Sequence, residues 1–163
     1  MPDDTVPDSV SSGDGDWIAT VECRYPVLYA GGVHTHLIFS NAALLDDDAG
    51  DDNPGGEKLA QLIAAGLPGH GFQVKRLAHE DWGWVVMIHN PAFSLWVGCG
   101  PHPDQEYGHL CFIEPGKPKI WRWLKRIDTT ETISALAAAL ESIVGAAAGT
   151  TGMRWWSEDE ARL

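Results

Sequence analysis

The stretch EDWGWVVMIHNPAFSLWVGCG, from Glu80 to Gly100, contains two apolar runs of strand-forming residues. Residues 84–88 and 95–99 are apolar at consecutive positions, which is typical of central strands with both faces covered. Only a short segment around Asn90 and Pro91 separates them, and so short a connection allows only antiparallel neighbours. The stretch therefore predicts the centre of an antiparallel sheet, with strands over 83–90 and 93–99.

Further strands are predicted on both sides of this centre. Downstream, the pattern indicates a strand over 106–114 and a short optional one over 119–124, and upstream one over 72–79. Residues 17–25 alternate between apolar and polar side chains, and a Gly-containing loop joins them to VHTHLIFS (33–40), so we expect a hairpin. In the second run, Thr35, Leu37 and Phe39 share one face, and His34, His36 and Ser40 share the other.

Two helices complete the pattern. The first follows Asn53-Pro54, a cap followed by proline at the first helical position, and ends at Gly66. Its apolar stripe consists of Leu59, Leu62 and Ile63. The second helix begins after Asp128, which with Glu131 forms a capping box. Its stripe consists of Ile133, Leu136, Ala137, Leu140, Ile143, Val144 and Ala147. The order ββαββββ(β)α predicts an α+β fold, with an antiparallel sheet of about six strands and two helices on one face.

The 163 residues are expected to form one α+β domain over 16–163, preceded by a flexible acidic tail over 1–15. The tail lacks the apolar stretch of a signal peptide, and no apolar run is long enough to span a bilayer, so a cytoplasmic location is expected. The three cysteines, Cys23, Cys99 and Cys111, are few and widely spaced, which predicts free and mostly buried thiols.

Charge is distributed unevenly along the chain, whose formal net charge is −12. Residues 1–57 hold 12 of the 23 acidic residues and only one of the 11 basic residues. An acidic field repels nucleic acid and anionic membranes and attracts basic partners. The composition therefore predicts a basic protein partner and argues against nucleic-acid and membrane binding.

Two motifs raise the question of a metal. His34 and His36 lie on one face of a strand, an arrangement in which two histidines can bind the same metal ion. They support an alternative function for the chain, a small His-dependent metal-binding hydrolase. Asp46, Asp48 and Glu57 match three positions of an EF-hand loop, but Gly50 replaces an oxygen ligand and Asp51 stands where the turn requires glycine. No HExxH or CxxC motif completes a site, so we expect no metal and no cofactor.

Two other segments contain side chains that could have a chemical or binding role. Cys99, at a strand end in GCGPH with His102 nearby, could serve as a nucleophile, but no orienting third residue is recognisable, so a packed thiol is expected. The segment PGKPKIWRWLKR (115–126) interleaves basic residues with Trp121 and Trp123, a pattern that fits either nucleic acid or an acidic partner. The overall acidity argues against nucleic acid.

The eight tryptophans exceed what a core of this size needs, and tryptophan is favoured in protein interfaces. We therefore expect partner binding by acidic loop residues together with tryptophan anchors. The expected contact residues are Asp46, Asp47, Asp48, Asp51, Asp52, Trp82 and Trp121. A second alternative is a ligand-binding sensor with a Trp-lined pocket.

The segment Glu80-Asp81-Trp82-Gly83-Trp84, followed by a strand and Gly98-Cys99-Gly100, resembles small immunity-type proteins of bacterial toxin systems. The resemblance covers about residues 57–115. It implies an acidic, Trp-rich α+β inhibitor, cytoplasmic and without enzymatic activity, that binds and blocks a toxin.

Overall fold

The computed structural model describes residues 34–50, 53–157 and 160. The expected tail over 1–15 and the strand over 17–25 lie outside these residues, as does Cys23, so only the second strand of the expected hairpin is described. The strands are β1 (His34–Ser40), β2 (Val74–Glu80), β3 (Gly83–Ile88), β4 (Leu95–Pro101), β5 (Gly108–Glu114), β6 (Lys119–Arg122), β7 (Lys125–Asp128) and β8 (Thr151–Ser157). The helices are α1 (Glu57–Gly66) and α2 (Thr130–Ala146), and short 3-10 turns cover Ala42–Leu44 and Leu67–His70.

Six strands form one antiparallel sheet in the order β2-β3-β4-β5-β1-β8, and β6 pairs with β7 in a separate hairpin. The predicted α+β class and the six-stranded antiparallel sheet with two helices on one face are confirmed. The central strands of the quoted stretch, β3 and β4, lie between β2 and β5 as expected. Every pairing within 74–114 joins strands that are neighbours in sequence. The short connections between these strands were therefore enough to predict their antiparallel pairing.

The core lies between the helices and one face of the sheet. α1 lies against β2, β3 and β4, while α2 lies against β1 and β5. Alternation along β1 buries Thr35, Leu37 and Phe39 on this face, as the sequence pattern predicted. Burying one such leucine or phenylalanine stabilises the fold by about 1.5–3 kcal/mol. The buried stripe of α2 is Ile133, Leu136, Ala137, Ala139, Leu140, Ile143 and Val144, close to the predicted set.

Two parts of the fold differ from the sequence expectation. Residues 151–157 form β8, an edge strand that pairs with β1, although their sequence TGMRWWS lacks the alternation of apolar and polar side chains that indicates a strand. The single optional strand expected over 119–124 is instead a hairpin, with β6 and β7 joined by a two-residue turn at Trp123 and Leu124. Both edges of β1 are paired, with β5 and with β8.

No helix in the part of the chain that the structure describes has the length and apolar character needed to cross a bilayer.

Candidate functional site

The two ends of the sheet carry different surfaces, because antiparallel strands place alternate loops at opposite ends. One end is formed by the turn between β2 and β3, the loop 102–107 and the segment that leads from β1 to α1. The backbone amide of Asn41 donates to the carbonyl of Tyr107 at 3.0 Å, which holds the segment after β1 against the loop 102–107. Gly56 and Gly83 both lie against the backbone of Cys99. We call this the acidic end.

Asp46 has a structural role at the acidic end. Its carboxylate accepts hydrogen bonds from the backbone amides of Gly56, Glu57 (2.8 Å) and Lys58 (2.9 Å), the first amides of α1. The cap expected from Asn53-Pro54 is therefore wrong, since α1 begins at Glu57 after a left-handed Gly56. Asn53 instead accepts a bond from the amide of Gly55 in a local turn. Asp46 stabilises the helix N-terminus because it satisfies amides that have no partner within the helix.

Asp47 and Asp48, the other described aspartates of the acidic loop, face solvent. The carboxylate of Asp47 lies 3.0 Å from the ammonium of Lys58, in an exposed ion pair, and Asp48 is exposed. An exposed pair of this kind contributes about 0–1 kcal/mol, so Asp47 remains available to a partner. Asp51 and Asp52 lie outside the described residues.

The acidic end carries more exposed charge than the loop alone. The six exposed carboxylates that the structure describes there are Asp47, Asp48, Glu80, Asp81, Asp104 and Glu106. Two aromatic side chains are exposed among them, Trp82 at 38% and Tyr107 at 49%. Tyr107 has a positive φ of 53°, which is uncommon for a residue with a bulky side chain. Tyr107 was not expected from the sequence, where the only signal for it is its place in the loop PHPDQEY.

Trp82 belongs to an aromatic cluster on the sheet face opposite the two helices. Its ring centroid lies 5.1 Å from that of Phe112 and 6.3 Å from that of Trp96. Phe112 in turn stacks on His36 at 5.8 Å. These contacts fix the orientation of Trp82 while part of its ring stays in solvent.

Trp121 lies far from Trp82. It is on β6, and Arg122 of the same strand donates a 2.7 Å hydrogen bond to the carbonyl of Ala92, just before β4 begins. The acidic end lies where β4 finishes, so the seven residues of β4 separate the two by about 20 Å. The structure places Trp82 and the acidic loop at the same end of the sheet and Trp121 at the other end.

The histidine pair His34 and His36 lies on one face of β1, as expected, and both side chains are half-buried. Nδ1 of His36 lies 3.0 Å from the hydroxyl of Thr35. Within 34–50, 53–157 and 160, no group of three or more His, Cys, Asp or Glu side chains is placed to hold a metal ion. Asp46, one of the residues that match an EF-hand loop, uses its carboxylate to accept hydrogen bonds from the backbone amides at the start of α1.

Cys99 is fully buried opposite Cys111 on β5, and both thiols are free. Burial raises the pKa of Cys99 well above its ordinary value, and the hydrogen bond that its thiol donates to Cys111 and the charge of Cys111 act in the same direction. A thiol that stays protonated at neutral pH is a poor nucleophile, so the strand-end cysteine is a packing residue.

A groove of about 850 Å³ lies beside β1, β5 and β8. Its described lining comprises His36, Ile38, His102, Asp104, Gln105, Leu110, Gly152, Arg154, Trp156 and Glu160. The guanidinium of Arg154 stacks 4.1 Å above the ring of Trp156. Nδ1 of His102 and Nε1 of Trp156 are buried and have no hydrogen-bond partner among the described residues.

Compared with known proteins, the chain matches no family model, no curated protein and no solved structure.

Proposed function

We propose that the chain is a non-enzymatic binding protein, an acidic inhibitor of the immunity type that captures a basic toxin at its acidic end. The observation that carries the proposal is the location of six exposed carboxylates and two exposed aromatic side chains, Trp82 and Tyr107, at one end of the sheet. A cytoplasmic location, as the resemblance to immunity-type proteins implies, is part of the proposal.

The two kinds of side chain serve different parts of the binding reaction. Grouped carboxylates attract a basic partner and raise the association rate, but they contribute little net affinity in solvent. Aromatic anchors bury large areas at the centre of an interface and control dissociation. Because Trp82 is already oriented by Phe112 and Trp96, little rotamer freedom remains to be lost on binding.

The test uses the purified full chain as bait, followed by titration of the purified partner it retains. We expect a basic protein whose toxic activity the chain blocks. Tyr107→Asn keeps a residue that tolerates positive φ while removing the ring, and Trp121→Ala is the matched control at the opposite end. Tyr107→Asn should weaken binding about 10-fold or more, and Trp121→Ala should leave it unchanged. An acidic partner, or binding that depends on Trp121 alone, would contradict the proposal.

A second candidate, a ligand-binding sensor, is favoured by the groove beside β8. Its volume of about 850 Å³ suits a small molecule, and two buried polar atoms, on His102 and Trp156, lack partners among the described residues. Each such unpaired atom costs about 1–3 kcal/mol. A screen of polar metabolites by thermal shift tests this candidate. Leu110→Trp, which fills the groove, should abolish any shift.

A further inference from the structure

The β6–β7 hairpin displays large apolar side chains at its tip. Trp123 and Leu124 form the two-residue turn and are 90% and 97% exposed, and Trp121 beside them is 75% exposed. Apolar side chains of this size are seldom so fully exposed next to one another. The turn was not expected from the sequence, because WRWLKR lacks the Asn-Gly or Asp-Gly pair that usually forms one.

The backbone of the turn adds a second observation. Trp123 has φ 49° and Leu124 has φ 66°, so both occupy the left-handed region that glycine and asparagine prefer. Such strain persists where the surrounding structure imposes it, and it clusters at functional sites. Here the consequence of the strained turn is that both side chains project away from the body of the protein.

Basic side chains surround the apolar tip. Lys119, Arg122, Lys125 and Arg126 are all exposed on the two strands of the hairpin. None of them forms an ion pair with a carboxylate that the structure describes, since the one such pair joins Lys58 and Asp47. Arg122 fixes the hairpin to the sheet through the carbonyl of Ala92.

We infer that the β6–β7 hairpin is a docking element for an anionic lipid bilayer, with Trp123 and Leu124 entering the interfacial region and Lys119, Lys125 and Arg126 contacting headgroups. Tryptophan is favoured at the level of the headgroups, and leucine at the adjoining acyl boundary. Lysine and arginine near the surface are attracted by anionic lipid. The tip is convex, so it suits insertion into a soft surface better than the tracking of a nucleic-acid strand, which requires a groove.

The net charge of −12 does not prevent this docking, because salt screens the charges that lie far from the membrane surface. At physiological ionic strength, interactions between exposed charges are largely screened beyond about 8 Å. The acidic end lies about 20 Å from the hairpin along β4. The bilayer would therefore meet the basic hairpin, and the acidic end would point away from it, free to hold a basic protein.

The test is co-sedimentation of the full chain with vesicles of phosphatidylcholine alone and of phosphatidylcholine with phosphatidylglycerol. We expect binding to the anionic vesicles, weakened by added salt, and little to the neutral ones. The double variant Trp123→Asn/Leu124→Gly removes the apolar tip and supplies residues that favour the turn, so the hairpin should persist. Its affinity for anionic vesicles should fall at least 10-fold, while its melting temperature stays at or above that of the wild type.

A matched pair of single variants separates the hairpin charge from overall charge. Arg126→Gln and Arg76→Gln each remove one exposed positive charge, the first on β7 and the second on β2. Arg126→Gln should weaken vesicle binding about five-fold, and Arg76→Gln should change it much less. Equal binding to neutral and anionic vesicles, or an unchanged affinity of the double variant, would overturn the inference. The inference would also be overturned if the chain did not bind the vesicles but bound an oligonucleotide or an acidic peptide through the hairpin.

Discussion

Asp46 Oδ1 accepts a hydrogen bond of 2.9 Å from the backbone amide of Lys58, twelve residues further along the chain. The same carboxylate holds the amides of Gly56 and Glu57, so it satisfies three amides at the start of α1. One residue later, Asp47 pairs with the ammonium of Lys58 in solvent. Adjacent aspartates of one acidic run thus serve different purposes, one in folding and one at the surface.

The cap predicts a difference in stability between two aspartates of the same loop. Asp46→Ala should lower the free energy of unfolding by about 1–2 kcal/mol, because three amides at the helix N-terminus lose their acceptor. Asp48→Ala, at an exposed position, should change it by less than about 0.5 kcal/mol. Urea unfolding with an unchanged m-value measures both. Equal effects would show that the cap contributes nothing.

The remaining exposed charge predicts an effect on association. Asp47→Asn/Asp48→Asn leaves the cap intact and should slow association with the basic partner several-fold at low salt. The salt dependence of the association rate should flatten, while the dissociation rate should stay nearly constant. Stopped-flow mixing over a range of salt concentrations measures these rates. An association rate equal to that of the wild type at low salt would refute the electrostatic part of the proposed function.

A glycine supports the aromatic cluster that orients Trp82. A Cβ added at Gly98 would collide with the ring of Phe112, which is the ring that Trp82 contacts. Gly98→Ala should therefore destabilise the protein by about 1–3 kcal/mol and alter the near-UV circular dichroism of the tryptophans. Gly69→Ala is the control, since a Cβ there has no neighbour within 4 Å. If both variants behave like the wild type, the cluster is not closely packed.

His109 predicts a loss of stability at acid pH. Burial lowers its pKa from the ordinary 6.5, and the bond to the Asn41 carbonyl and the charge of Asp46 oppose this shift less strongly. Its Nε2–H donates to that carbonyl at 2.8 Å, but burial has the larger effect on the pKa, so the folded state favours the neutral ring. As pH falls below about 6.5, the unfolded state takes up the proton first, and the free energy of unfolding decreases.

The measurement is the free energy of unfolding as a function of pH for the wild type and for His109→Gln, which can still donate to Asn41. As the pH falls below about 6.5, the free energy of unfolding should decrease less for the variant than for the wild type. A decrease of the same size in both proteins would assign the acid sensitivity to other groups.

The two described thiols should be protected in the folded protein. Cys99 and Cys111 are buried and free, as predicted, and burial raises the pKa of Cys99. In a Cys23→Ser background, a thiol reagent at neutral pH should label them at least about 100-fold more slowly than in denaturant, because labelling requires local opening. Mass spectrometry under non-reducing conditions should find both reduced. Rapid labelling of the native chain would contradict the burial.

Short-range pattern determined the centre of the fold. Consecutive apolar residues at 84–88 and 95–99, joined by a few residues, require adjacent antiparallel strands, and β3 and β4 are such a pair. The apolar stripe of α2 and the alternation of β1 likewise follow from helical and strand periodicity. These features depend on residues within a few positions of one another, so the sequence alone contains them.

Tertiary structure decided the features that depend on residues distant in sequence. The cap of α1 comes from Asp46 rather than from Asn53, because the chain folds back and brings the carboxylate to the amides. Residues 151–157 become a strand because β1 offers them an unpaired edge, although their own pattern does not indicate one.

The candidate surfaces show the same division. The sequence predicted an excess of acidic residues and of tryptophan, but it did not predict where they would meet. The topology gathers carboxylates from three separate loops, with Trp82 and Tyr107, at one end of the sheet, and it leaves Trp121 with the basic hairpin at the other. Composition determines how much charge and aromatic surface a chain has, whereas strand order determines which loops share an end, because antiparallel pairing sends successive loops to opposite ends.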